Sequence, residues 1–188
     1  MSILDFEWTA VSKAGGAIEQ LLPVLDNMFE SLKEQGVLDD STHSALRSGI
    51  LPKFALSISD AELERRLREG YDFLCVGDVG KAAVSFERLC RLDPLEGRYL
   101  YALSTTFQIR GQFEVAAKLY VMSIALGVGG ADPHVRLGEC LMASNEFSEA
   151  KDVLDHAIEL AGSDPAQSVA ERRARKLRTI VSGKVLAS

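Results

Sequence analysis

The feature that most constrains this chain is self-similarity at a step of 34 residues, running without insertion or deletion from residue 63 to residue 164. Small residues stand at Gly70, Ser104 and Gly138, and three positions later come Phe73, Phe107 and Leu141. A turn column follows at Gly77, Gly111 and Asn145, residue types that tolerate a left-handed backbone. Ala82, Ala116 and Ala150 are next, then Phe86, Tyr120 and Leu154, and the last column is Leu89, Ser123 and Ala157. Each unit therefore reads as two helices joined by a tight turn. The small residue and the alanine mark where the two backbones approach, and the large residues fill the space beside them. One such hairpin cannot bury its apolar face alone, so neighbours must stack into a solenoid.

Local signals place the ends of these units. Ser59-x-x-Glu62 reads as a capping box opening the first. Asp132-Pro133 reads as a cap followed by proline at the first helical position of the third. Gly127-Val128-Gly129-Gly130 follows a helix and lacks a phosphate-loop lysine, so it reads as a loop between units. Gly162-Ser163-Asp164-Pro165 ends the third unit and restarts a helix, whose apolar Ala170, Ala174, Leu177 and Val181 share one face. That helix is the cap a solenoid needs over its last apolar surface. Ahead of the repeats, Ile18, Leu21, Leu22, Leu25, Phe29 and Leu32 form a helical stripe, started or kinked by Pro23. A short helix is expected from Asp40 to Ser48, a linker over residues 50–58, and loose order over residues 1–17.

Composition narrows the function. The apolar fraction is 47% and the charged fraction 26%, those of an ordinary folded domain. No run of eighteen apolar residues is present, so no membrane contact is expected, and the acidic start without an apolar h-region points to the cytoplasm. Residues 1–58 hold eight acids against four bases and residues 59–165 eighteen against eleven, whereas residues 166–188 hold one acid and six bases. An acidic body of this kind disfavours direct nucleic-acid binding. Cys75, Cys90 and Cys140 lack metal or disulfide spacing and read as reduced, buried thiols. His43, His134 and His156 are far apart in sequence, so no metal, no cofactor and no catalytic constellation is expected, and the chain is not read as an enzyme.

The columns resemble the tetratricopeptide repeat. Gly70, Phe73, Ala82, Phe86 and Pro94 of the first unit match its signature; the second has Ser104 for glycine and Val128 for proline, and the third has Gly162 for proline. The fold class this implies is an all-α solenoid of three repeats (63–96, 97–130, 131–164) within residues 59–165. A helical extension over 1–58 precedes it and a capping helix over 166–188 follows. In such arrays the first helices line a concave groove that takes extended peptides. The positions this implies are Leu67, Tyr71, Leu74 and Cys75 from the first unit and Arg98, Tyr101, Thr105, Gln108 and Ile109 from the second. Val135, Glu139, Met142 and Ala143 come from the third. The lining reads as apolar and aromatic with a few polar groups, suited to side-chain pockets. It lacks the lysine and asparagine clamp used on acidic chaperone tails. Leu67 and Leu74 serve equally well as ordinary core between repeats, whereas Tyr71 and Tyr101 suit a wet edge.

Residues 86–160 carry a closer resemblance, to the class II chaperones of bacterial type III secretion. Phe86-Glu87-Arg88-Leu89-Cys90-Arg91-Leu92-Asp93 matches that family's F-x-x-L-C-x-L-D. Arg98-Tyr99, Gln108-x-x-Gly111-Gln112-Phe113-Glu114-x-Ala116, Asp132-Pro133 and Glu139-Cys140-Leu141 continue it. The phenylalanine of the family's P-F-H-A-A-E-C is missing from Pro133–Cys140. The resemblance implies a cytoplasmic holdase whose clients are pore-forming translocators, gripped through a P-x-L-x-x-P-like segment by Leu67, Tyr71, Leu74, Tyr101 and Met142. It also implies a homodimer through Leu21, Leu22, Leu25, Phe29 and Leu32, for which packing on the first repeat within one chain is the simpler reading. The alternative is a tetratricopeptide adaptor or regulatory protein that bridges folded components, such as a transcription co-activator partnered with a transcription activator, or a secretion assembly factor.

Overall fold

The computed structural model describes residues 51–185 except Ser163, together with residues 27, 29, 30, 33, 36, 39–42 and 44. Leu21, Leu22, Leu25 and Leu32 of the expected dimerisation stripe lie outside the described residues, as does the stretch 1–17. After a short helix α1 (Pro52–Ala55), three helical hairpins follow: α2 (Asp60–Cys75) with α3 (Val79–Leu92), α4 (Gly97–Ile109) with α5 (Phe113–Ala125), and α6 (Ala131–Ala143) with α7 (Phe147–Ala161). A single 3₁₀ turn, Pro165–Gln167, leads into α8 (Ser168–Val185), which packs on α6 and α7. Second helices bridge successive units: α3 packs on α4 and α5 on α6. None of the described helices is long and apolar enough to cross a membrane.

The 34-residue columns explain this packing. Gly77, Gly111 and Asn145 all have positive φ, at 78°, 74° and 65°, and each turns a first helix back onto its second. Gly70 lies against the Phe86 ring so closely that a Cβ would overlap Cε1, and a Cβ on Gly138 would stand 2.8 Å from Cγ of Leu154. Ser104 keeps the middle hairpin tight by folding its hydroxyl back on the Tyr101 carbonyl at 2.7 Å. Ala82, Ala116, Ala150, Phe86, Tyr120 and Leu154 are fully buried in one continuous core. Ala174 and Val181 of α8 complete that core, with Ala170 and Leu177 packed against it.

The ends of the elements depart from expectation in three places. Ser59 Oγ caps α2 by accepting from Glu62 N at 3.3 Å, but the Glu62 carboxylate binds Arg65 and Arg66 instead of completing a box. The first helix of the third unit starts earlier than Asp132-Pro133 implied: α6 opens at Ala131, after Gly130 at φ 86°, so Asp132 is not its cap. The Ala131 amide is satisfied by Oε1 of Gln167 at 2.7 Å, a donor–acceptor pair that ties α6 to the 3₁₀ turn. Pro133 then sits in the first turn, where its missing N–H has no helical partner to lose. Finally, residues 50–58 are not a plain linker. Pro52 starts α1, and Lys53 Nζ reaches the buried Asp93 carboxylate at 2.6 Å, anchoring the segment on the end of α3.

Asp40, Ser41, Thr42 and Ser44 are helical and capped by Asp39, whose Oδ1 accepts from Thr42 N at 2.9 Å. Phe29 is only 3% exposed and belongs to the same core as the repeats. This burial favours packing within one chain at that position.

Candidate functional site

The helices α2, α4 and α6 pack mainly on second helices, and across the gaps between them reach long side chains. Glu64 of α2 accepts from Arg98 of α4 at 3.1 Å, and Arg98 also holds Glu96 at 3.2 Å. Tyr101 of α4 donates its hydroxyl to Asp132 of α6. Gln108 Nε2 donates to Glu139 of α6 at 3.0 Å, and the other oxygen of Glu139 takes Arg173 of α8 at 2.5 Å. Tyr120, rising from α5, donates to Gln108 Oε1 at 2.7 Å and lies 3.2 Å from the Thr105 hydroxyl. These bonds form a polar ladder from α2 to α8 along the face shared by the first helices.

The expected lining is thus redistributed. Leu67, at 5% exposure, and Val135, at 0%, are core side chains that brace the face from beneath rather than line it. Both belong to the continuous core of the repeats. Leu74 and Met142 are half-buried against the core edge. Tyr71 is 37% exposed, its ring edge-on to Phe86 at 5.3 Å, and Ile109, Cys75 and Ala143 are exposed. Tyr101, Thr105, Gln108 and Glu139 are half-buried rungs of the ladder, and Arg98 is exposed. The face therefore offers apolar edges at Tyr71, Leu74, Ile109 and Met142 around a polar middle, not an apolar trough.

Sequence reasoning missed the ladder's partners Glu64, Asp132, Arg136 and Arg173. Arg136 of α6 donates from Nε to Asp132 at 3.0 Å, and its guanidinium stands 5.9 Å from the Tyr101 ring centroid. Burial opposes its charge, but Tyr101 and Asp132 beside it outweigh this and hold it firmly cationic. Burial also pushes the phenols up, Tyr120 to about 12 and Tyr101 higher still, so both donate as neutral hydroxyls. A signal for part of the ladder exists in the sequence: Glu64 and Arg98, and Glu139 and Arg173, are opposite charges one 34-residue period apart.

Among the described residues no group of three or more histidine, cysteine or acidic side chains is placed to hold a metal. The structure does bring together two histidines that are distant in sequence: His134 and His156 meet edge-to-face at 5.1 Å between α6 and α7. His134 is buried with Nδ1 3.0 Å from the Gly130 carbonyl, and burial lowers its pKa to about 4. Cys90 and Cys140 are buried, and desolvation pushes both thiols up, Cys140 to about 12, so neither is primed as a nucleophile.

No family model matches the sequence. Solved structures match it along almost their whole length. A type III secretion system complex from Aeromonas hydrophila aligns at a TM-score of 0.72 with 24% identity, covering 77% of this chain and 97% of that one. The Yersinia enterocolitica type III secretion chaperone SycD, solved with a peptide of the translocator YopD, aligns at 0.64 with 24% identity over 68% of this chain and 97% of its own. PcrH, a protein of Pseudomonas aeruginosa solved with the chaperone-binding region of PopD, aligns at 0.64 with 24% identity over 68% and 96%. The chain has the all-helical solenoid fold of these proteins.

Proposed function

We propose that this chain is a cytoplasmic chaperone for translocator proteins of a type III secretion system, binding an extended client segment along the face of α2, α4 and α6. The observation that carries this reading is the shared fold: SycD and PcrH, which align over 97% and 96% of their lengths, are solved with translocator segments bound. The motif shared by Phe86–Asp93 and the Glu139-Cys140-Leu141 run supports it at the level of residues. The exposed edges at Tyr71, Leu74, Ile109 and Met142 supply apolar contacts, each worth about 1.5–3 kcal/mol when fully covered. Ordering an extended peptide offsets several kcal/mol of that sum, which leaves micromolar affinity for a short segment. Binding and release need no bond chemistry, in keeping with the inert thiols. Homodimerisation through Leu21, Leu22, Leu25, Phe29 and Leu32 belongs to the same reading, and SycD has been solved as an alternative dimer.

Co-expression with translocator proteins of type III secretion systems, followed by affinity capture and limited proteolysis, tests the reading. A translocator that is soluble only with this chain, and one protected extended stretch, are the expected results. Recovery of the same client by wild type and Tyr71→Ala in equal yield would refute the assigned face. A tight complex with an already folded partner would favour an adaptor instead.

A further inference from the structure

Among the described residues the rungs of the ladder are closed on one another except at two arginines, Arg136 and the more exposed Arg173, each of which commits only its Nε. Both Glu139 oxygens are taken by Gln108 and Arg173, the Tyr120 hydroxyl and Gln108 satisfy each other, and Arg98 spends its guanidinium on Glu96 and Glu64. Arg136 is the more buried of the two. Its Nε is committed to Asp132, and among the described residues its two terminal nitrogens donate to nothing, although the side chain is only 27% exposed. Asp132 fixes the guanidinium by one edge and the Tyr101 ring by its face, so four N–H groups are held in a set direction at low entropic cost. Tyr71, in the first unit, feels the charge of Arg136 from the third, and it is the most exposed aromatic group of the face.

We infer that Arg136 is the sequence-independent anchoring donor of the client site, gripping a main-chain carbonyl of the extended segment between its apolar anchors. This rests on the proposed function. A neutral acceptor fits better than a carboxylate for two reasons. Asp132 already supplies the charge-matching anion, and residues 59–165, with eighteen acids and eleven bases, repel a second one. An extended backbone presents a carbonyl to the same side every second residue, so the contact holds the strand whatever its sequence there, while the edges at Tyr71 and Met142 read side chains.

The test uses an array of overlapping peptides spanning the chaperone-binding region of PopD, with each position varied, probed by wild type, Tyr71→Ala, Arg136→Met and Arg136→Lys. The inference expects Arg136→Met to lower affinity about tenfold or more for every captured peptide, the worth of a charge-assisted hydrogen bond. Arg136→Lys, which keeps the charge next to Asp132, recovers only part of it, and replacing peptide acids with amides leaves wild-type binding unchanged. Wild-type melting retained in Arg136→Lys excludes a purely structural loss. Binding by Arg136→Met equal to wild type, while Tyr71→Ala fails, overturns the inference and spares the function. Loss confined to peptides carrying an acid overturns the carbonyl assignment. Capture of no peptide by wild type overturns both.

Discussion

The seam inside each hairpin and the face across the first helices are built from opposite materials. Within the hairpins, Gly70 meets Phe86 and Gly138 meets Leu154 with no room for a methyl group. Across the first helices, Glu64 meets Arg98 and Gln108 meets Glu139 through long side chains. The seam removes apolar area from water and supplies the stability of the stack. The face contributes little to stability because its charges stay partly hydrated. What it provides is a spaced surface of largely paired polar groups that does not collapse on itself. A chain that must hold a guest between its units keeps its apolar driving force out of the place where the guest goes.

Changes in the seam test this division most severely. Phe86→Ala opens a cavity beside Gly70 and is expected to cost about 3–5 kcal/mol in denaturant unfolding. A cost below about 1 kcal/mol would mean the first hairpin is not packed as described. The seam also carries a pH signature. The unfolded chain protonates His134 near its ordinary 6.5, whereas the folded chain resists until about 4 because the ring is buried. Stability from this group is therefore full above pH 6.5 and is lost as pH falls towards 4. Between pH 7.5 and 4.5 wild type should lose on the order of 2 kcal/mol more than His134→Gln in parallel melts. Parallel losses in the two proteins would place the acid sensitivity elsewhere.

Changes on the face should separate binding from folding. Tyr71→Ala is expected to weaken client capture about tenfold, as for one apolar anchor, with the thermal transition still cooperative. Glu64→Gln breaks an exposed pair and should shift stability by less than about 1 kcal/mol in chemical denaturation. A larger effect from Glu64→Gln than from Phe86→Ala would invert the comparison.

The seam was legible in the sequence because its requirements repeat. Gly77, Gly111 and Asn145 need the same left-handed turn, and Gly70, Ser104 and Gly138 the same close approach, so a fixed period exposes them. The face was legible only in part. Tyr101–Asp132 and Gln108–Glu139 join residues 31 apart, a spacing that depends on side-chain length and helix offset rather than on the repeat itself. Leu67 and Val135 looked like lining because column position alone does not say whether a neighbouring helix covers it. Asp132 resembled a cap, but Gln167, brought in by the 3₁₀ turn, takes the amide that fixes the helix start and frees Asp132 for Tyr101 and Arg136. The contact of His134 with His156 is set by hairpin register, which spacing in a single helix does not reveal.

The measurement that bears most directly on the account is site-specific photo-crosslinking in cells running a type III system, with a benzophenone amino acid placed either at Tyr71 on the first-helix face or at Val84 on the outer side of α3. Both positions are exposed. The account predicts a translocator crosslinked from position 71 and none from position 84; equal crosslinking from both, or crosslinking from 84 alone, would contradict it.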